Sequence, residues 1–569
     1  AKLKAIRKCQ ATYFFDDGAC LRQPGLSQRS LPLLAAEGSF PRPWSVPAII
    51  TQISQLSQKN RAIYRLWPLT VLLAATWALF LLPLADHGLR EDEALYASWA
   101  ITMRHGNPWL SGLPIDKPPL YLWLLAGWQS WAGETAPAMR LLNTSVTLVS
   151  IALVYALGCR LAGRRTGLLA AIVFAASPFT ILFAPTLYTD PLLVLWFLAA
   201  SLAATYGRWS GLGLCLGLAL ITKQHALLLA PLPLALAVPQ LTALARRDRV
   251  LAGLRVALGL ALPLGVVWAW DAARLSQSPT GGPVNVWQQS AINYGGLTLV
   301  APEHWTARAS AWLEQAQYMT GYLPATFVAL VAAVVLAARL PRGPSRRASR
   351  PEARPGRGLR PLIVFALAYL ALHTVVGFQV WDRYLLPLVP LMALVAGWGW
   401  AQLTRRLGIA ALLLLVCCLL PPTLQAAAGA YPIGGDHGAY DGIDATAVTI
   451  REVLPDNKWG VLYHHTLGWH WRYYLAGAHF QQVYYATPDD LATDAAGPGG
   501  YVRLLVVPAT EDVAPVRQAL ASHGLQLRQR ATTYRKDGTP TFYVWAVESV
   551  APAWPASRPM TPHGPQEVP

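Results

Sequence analysis

Residues 66–123 read LWPLTVLLAATWALFLLPLADHGLREDEALYASWAITMRHGNPWLSGLPIDKPPLYLW. An unbroken apolar run gives way near Asp86 to a loop that holds Arg90, Glu91, Asp92, Glu93, Arg104, Asp116 and Lys117. A helix needs about 20 apolar residues to cross roughly 30 Å of hydrocarbon, so the run is predicted to span a membrane. The charged loop then lies at the surface of that membrane.

The same succession recurs along the chain. Of 569 residues, 54% are hydrophobic and 13% charged, and the mean hydropathy is +0.34, which excludes an ordinary soluble enzyme. Apolar runs at 66–86, 138–159, 167–186, 190–206, 209–222, 224–241, 252–271, 318–338, 361–380, 384–403 and 408–426 predict eleven spans. The expected fold is therefore a polytopic α-helical membrane protein. Residues 118–133, short and holding three tryptophans, predict a helix lying in the interface, where indole rings prefer to sit.

Arginine placement sets the orientation. Arg160, Arg164 and Arg165, then Arg208, then Arg246, Arg247, Arg249 and Arg255, then eight arginines in 339–360, then Arg405 and Arg406 occupy alternate loops. The positive-inside rule makes those loops cytoplasmic and the motif-bearing loops extracytoplasmic. Much of the net charge of +17 then serves orientation and contact with anionic lipid headgroups rather than nucleic acid.

Residues 1–62 read as a basic, weakly ordered cytoplasmic tail, 63–427 as the membrane portion, and 551–569 as a loose end. Between them, 428–550 turns soluble in composition, with β-rich runs at 459–463, 502–507 and 541–547 around a helical stretch at 513–523. A small α/β domain on the outer face is expected there. Its His464, His465 and His470 match no familiar zinc spacing. Cys9, Cys20, Cys159, Cys215, Cys417 and Cys418 form neither a CxxC pair nor a disulfide framework.

Four motifs then share one side: Arg90-Glu91-Asp92-Glu93 with Tyr96, Asp116-Lys117-Pro118-Pro119, Thr189-Asp190-Pro191, and Trp381-Asp382-Arg383-Tyr384. A carboxylate there can take a proton from an attacking hydroxyl, while Lys and Arg hold a leaving group whose negative charge grows. Each motif also has a plainer reading. Asp92 could cap a helix starting at Glu93, Asp190 is a natural N-cap before a proline, and Lys117 and Arg383 could be interfacial anchors. Lys223, Gln224 and His225, at a break between spans, read equally as an anchor or a lipid-phosphate contact. The loop 272–317 offers Asn285, Trp287, Gln288, Asn293, Tyr294, Glu303, His304 and Trp305 for sugar or acceptor contact.

REDEALYASWAITMRHGNPWLSGLPIDKPPLYLW, the TLYTDPLL segment, GLALITKQHALLLAPLPL and WDRYLLPLVPLMALVAG together resemble the superfamily of protein O-mannosyltransferases and aminoarabinose lipid A transferases. The resemblance implies a GT-C fold and an inverting glycosyl transfer from a polyprenyl-phosphate sugar to a lipid, glycan or protein acceptor at the outer face of the plasma (inner) membrane. By position, Asp92 resembles the carboxylate that activates the acceptor, and Asp190 the second acidic residue. Lys117 resembles a ligand of the carrier phosphate, with Arg383 and Arg90 as partner cations. Glu93, Tyr96, Asp116 and Tyr384 would position substrate. No cofactor is implied beyond an optional divalent metal ion at Asp116 or Asp92 with an outer-loop histidine. Two departures bear on the sugar: Asp116 stands where aminoarabinose transferases usually carry Glu, and Leu95 where they often carry Arg, which argues against an aminoarabinose donor. The alternative is a transporter or flippase of a lipid-linked substrate. That reading wants ionisable groups mid-span and repeated halves, and neither is evident.

Overall fold

The computed structural model describes residues 66–84, 88–279, 282–294, 298–321, 357–434, 439–454, 459–535 and 537–550. The expected tail at 1–62, the loose end at 551–569 and most of the expected span at 318–338 lie outside them.

Helices follow the apolar runs closely. They are α1 Leu66–Leu81, α2 Glu91–Arg104, α3 Leu120–Ala132, α4 Ala136–Ala162, α5 Arg164–Ala176, α6 Pro178–Phe183, α7 Asp190–Thr205, α8 Trp209–Leu220 and α9 Ala226–Thr242. Then come α10 Arg246–Ser276, α11 Val286–Tyr294, α12 Trp305–Ala316, α13 Arg360–Val375, a 3-10 turn Asp382–Leu388 running into α14 Val389–Leu407, and α15 Ile409–Ala427. Among the described residues four helices are long and apolar enough to cross a membrane: α4, α10, the continuous stretch Asp382–Leu407, and α15. Five shorter apolar helices, α1, α7, α8, α9 and α13, accompany them. The protein is a multi-pass membrane protein. The expected span at 167–186 is two pieces, because Pro178 cannot donate the hydrogen bond that would carry α5 through Ser177. The run at 118–133, expected to lie in the interface, is helical from Leu120 to Ala132, as α3.

Close helix packing is bought with small residues. A Cβ on Gly167 of α5 would lie 2.5 Å from the Tyr155 carbonyl of α4, and one on Gly213 of α8 would lie 2.0 Å from the Val256 carbonyl of α10. In lipid, where apolar surface gains little by leaving its surroundings, such backbone-to-backbone approach supplies the packing.

The soluble part comprises α16 Ile443–Val453, β1 Gly460–His464, α17 Gly468–Tyr474, β2 Phe480–Tyr484, α18 Pro488–Ala495, β3 Val502–Pro508, α19 Ala514–Ser522, β4 Leu525–Tyr534 and β5 Pro540–Ser549. The sheet order is β2-β1-β3-β5-β4. β1 runs parallel to β2 and β3, and β5 antiparallel to β3 and β4. Three of the strands fall on the predicted β-rich runs. β2 and β4 went unseen because their polar, half-exposed residues alternate without an apolar run.

This part grips the membrane part through α17. Trp469 packs edge-on against Trp99 of α2 at 5.8 Å. Ser98 donates to the Trp469 carbonyl at 2.9 Å, and the Tyr474 hydroxyl accepts from the Leu89 amide at 2.8 Å. His470 meets the Leu89 carbonyl at 2.8 Å and stacks on Tyr440, which separates it from His464 and His465.

Candidate functional site

The first helix of the charged loop begins two residues earlier than a capping Asp92 would require. Arg90 is the N-cap and Glu91, Asp92 and Glu93 fill the first turn of α2, where carboxylates favour the positive end of the helix dipole. Asp92 therefore projects from helical backbone rather than closing it. Asp190 likewise is the first residue of α7, with Thr189 as its cap.

Glu93 is the keystone. Fully buried, it accepts from Arg140 Nη2 at 2.7 Å and Nε at 3.1 Å, from the Arg90 amide at 3.0 Å and from the Leu187 amide at 2.9 Å. Burial opposes its ionisation, but the guanidiniums of Arg140 and Arg90 prevail and hold its pKa at about 2. Arg140 also donates to the Leu84 and Gly88 carbonyls, at 3.2 and 2.9 Å. Asn143, one turn further along α4, donates to the carbonyls of Thr186 and Tyr188, both at 2.7 Å. The base of α2, the mouth of α4 and the turn leading to Asp190 are thus one hydrogen-bonded unit.

Around that unit the remaining charges pair across the sequence. Arg383 Nη1 donates to Asp92 Oδ2, and its guanidinium lies over the rings of Trp381 at 4.2 Å and Tyr188 at 5.2 Å. Lys223 Nζ meets Asp190 Oδ1 at 2.7 Å and lies 4.9 Å from the Tyr384 ring. Lys117 Nζ meets Asp116 Oδ2 at 2.7 Å, an oxygen that also accepts from Asn293 at 3.1 Å and Tyr294 at 2.9 Å. Burial resists ionisation of Asp116, yet Lys117 and the two hydrogen bonds leave its carboxyl below the usual carboxylate range. Burial and the Asp116 charge push the Tyr294 phenol up, so it stays a neutral donor.

Loops bring these pairs together. Gln224 donates to the Asp116 carbonyl at 2.9 Å, and the Leu120 amide to the Ile221 carbonyl at 3.2 Å, joining the turn after α8 to the DKPP segment. Arg274, held to Asp271 at 2.8 Å, ties Leu113 and Val284 by their carbonyls, while Asp271 accepts from the Val286 amide at 3.0 Å. That clamp sets where α11 begins, and α11 ends on Asn293 and Tyr294. Tyr384 stacks on His225 with ring centroids 4.8 Å apart. Tyr96 is buried against Tyr121 and Trp99, and Arg90 lies 5.9 Å from the Tyr188 ring.

All nine predicted site residues thus gather at one end of the helices. Sequence reading passed over Arg140, Asn143, Asp271 and Arg274, which look like ordinary members of apolar helices until their partners are seen. Lys223 had been weighed only as an anchor or lipid contact; its partner is Asp190.

The carboxylates differ in access. Asp92 keeps 31% of its side chain exposed, against 7% for Asp116, 2% for Asp190 and 0% for Glu93. Among the described residues no three of His, Cys, Asp and Glu converge as a metal-binding group.

Residues 116–270 match the family model for dolichyl-phosphate-mannose-protein mannosyltransferase. Across 84% of this chain and 97% of that one, the fold is similar to the crystal structure of apo ArnT from Cupriavidus metallidurans, with a TM-score of 0.57 and 16% identity. The chain shares that fold. The undecaprenyl phosphate-bound form of the same protein gives a TM-score of 0.56 at 15% identity, with the same coverage. In sequence, the chain is 29% identical over 295 residues to the undecaprenyl phosphate-alpha-4-amino-4-deoxy-L-arabinose arabinosyl transferase of Pseudomonas paraeruginosa, 46% of this chain and 53% of the relative. The chain thus spans about half the length of the curated relatives it matches.

Proposed function

We propose that the chain is an integral-membrane glycosyltransferase that moves a sugar from a polyprenyl-phosphate donor to an acceptor, with inversion, at the extracytoplasmic face. One observation carries the reading: Asp92, the most open of the four site carboxylates, stands beside Arg383 at the same end of the helices as Lys117 and Asp190.

Asp92 takes the proton from an acceptor hydroxyl while that oxygen attacks the anomeric carbon. The bond from that carbon to the phosphate oxygen breaks on the opposite side, and the phosphate leaves with one more negative charge. Lys117 and Arg383, supported by Arg90, are placed to meet that charge, which is the largest electrostatic change in such a step. Asp190 holds Lys223 and so keeps that ammonium beside Tyr384. Asp116 orients Lys117. Glu93 acts through the scaffold, since each of its contacts is to the protein's own groups. In this reading 63–427 forms the catalytic membrane domain and 428–550 an outer domain that helps to choose the acceptor.

The polyprenyl carrier is supported by the undecaprenyl phosphate named in the relatives. Orientation toward the outer compartment is supported by the arginine-rich turns at the opposite helix ends. A flippase is less well supported, because the charged pairs sit at helix ends and turns rather than in mid-span.

The test is transfer of radiolabelled sugar from a polyprenyl-phosphate donor in membranes carrying the protein. Asp92→Asn is expected to abolish transfer while carrier binding and folding persist; full activity in that variant removes the assignment.

A further inference from the structure

The soluble sheet is wound in two directions. From β1 the chain passes through α17 to β2 on one side, then through α18 back across to β3 on the other. α17 packs, through Trp471, on the face carrying Leu462, Leu504 and Val506, and α18, through Leu491, on the face carrying Val461, Tyr463 and Leu505. The outgoing connections of neighbouring parallel strands thus part to opposite faces. In open α/β sheets the crevice outside the carboxyl ends of such strands is where ligands bind.

What lines this edge is not ordinary loop. His464, the last residue of β1, is 7% exposed, enclosed at Nδ1 and hydrogen-bonded to the backbone of Thr466. The next residue, His465, stacks on Tyr484 with ring centroids 5.7 Å apart and planes 19° apart, and its Nδ1 meets the Tyr485 carbonyl at 3.0 Å. Tyr484 closes β2 yet is 62% exposed, so the pair is an aromatic platform open to solvent. The Tyr485 hydroxyl reaches toward the Glu511 carboxylate, beyond the end of β3, at 3.5 Å. Leu467, in the turn from β1 to α17, adopts φ of 62°, a conformation costly for a side chain of its size and found where a site holds its backbone in place.

The charge of the edge narrows the ligand. The segments 464–467, 484–490 and 508–513 contain no Lys or Arg but carry Asp489, Asp490, Glu511 and Asp512. Burial keeps His464 neutral by lowering its pKa to about 4. Arg472 also acts on His464, but the four carboxylates leave the edge net negative, which disfavours phosphate and carboxylate. The edge offers a flat ring face for stacking and a carboxylate to accept from hydroxyls, the combination that takes a polyhydroxylated ring.

We propose that the carboxyl edge of β1, β2 and β3 binds an uncharged saccharide, with its ring on the His465–Tyr484 platform and its hydroxyls on Glu511. That the saccharide belongs to the acceptor rests on the transferase reading; the binding itself does not. The turn bearing His465 and Leu467 runs straight into α17, whose Trp469 packs on the helix of Asp92, so a saccharide held here is anchored to the element that borders the reacting groups.

The test uses the full chain in detergent and saturation-transfer NMR with methyl β-glycosides of glucose, galactose, mannose and N-acetylglucosamine, with glucose 6-phosphate as the charged control. At least one neutral glycoside is expected to bind, about tenfold more weakly in Tyr484→Ala and in Glu511→Gln, and unchanged in Asp92→Asn. The proposal is overturned by absence of neutral-glycoside binding, by binding indifferent to both edge substitutions, or by glucose 6-phosphate binding as well as glucose. Tyr484 is exposed, and an unchanged melting temperature in Tyr484→Ala separates lost binding from lost folding. Should Asp92→Asn prove fully active while the edge still binds sugar, the transferase reading falls and this one stands; loss of transfer in Asp92→Asn without sugar binding gives the reverse.

Discussion

Arg383 reaches across 291 positions of sequence to donate to Asp92, so the start of α2 and the turn before α14 share one charge pair. If that guanidinium both restrains the base and receives the leaving phosphate, its loss weakens donor binding and slows the step. Arg383→Ala is expected to lower kcat/KM by about 100-fold or more, the scale of a lost charged donor at a reacting centre. Arg383→Lys should recover only part, since one ammonium cannot reproduce the planar fork. Steady-state kinetics with varied donor measures both; wild-type kcat/KM in Arg383→Ala contradicts the pairing's role.

Glu93 and Arg140 predict an effect on folding instead. Removing one partner of a fully buried ion pair typically costs about 3–5 kcal/mol, so Glu93→Ala should lower the melting temperature of the detergent-solubilised protein sharply. Replacing both partners by apolar residues of similar size should recover much of the loss.

The same carboxylate sets an acid limit. With its folded pKa near 2 and an unfolded value near 4.5, Glu93 is more protonated in the unfolded chain between those values. Its stabilisation is therefore complete above about pH 4.5 and is lost as pH falls toward 2. Melting temperature measured from pH 6 downward should fall more steeply in wild type than in Glu93→Gln, which has no proton to take up there. Equal slopes contradict this.

Tyr294 holds Asp116 and Lys117 from the end of α11. In Tyr294→Phe the ring stays and the hydroxyl goes, which removes the hydrogen bond it donates to Asp116 and the one it accepts from Lys117, each to a charged group and worth about 1.5–3 kcal/mol. Donor KM should rise about tenfold or more with folding unchanged. An unaltered KM places the hydroxyl outside donor recognition.

The membrane helices and the four motifs were legible because the information is local: apolar runs mark the spans, and charge-bearing turns interrupt them. Pairing was not legible. Nothing near Arg140 in sequence announces Glu93, and Lys223 lies 33 positions from Asp190; only the return of each helix to the same end makes them neighbours. The clamp of Asp271 and Arg274 was hidden for a simpler reason, since two charges three residues apart at the end of an apolar helix look like a surface pair. Helix ends moved by a few residues where proline or a cap intervened, as at Ser177 and Asp190. In the sheet, strands with apolar runs were visible, and β2 and β4, with alternating polar residues, were not.

Each of the four site carboxylates already has a basic companion, so the empty protein is its own counter-ion reservoir. Under the proposed mechanism an arriving phosphate competes with Asp92 for Arg383, and taking that cation strips the aspartate of its restraint. Reactivity is then gated by cargo: water meets a muzzled base until the carrier lipid has docked.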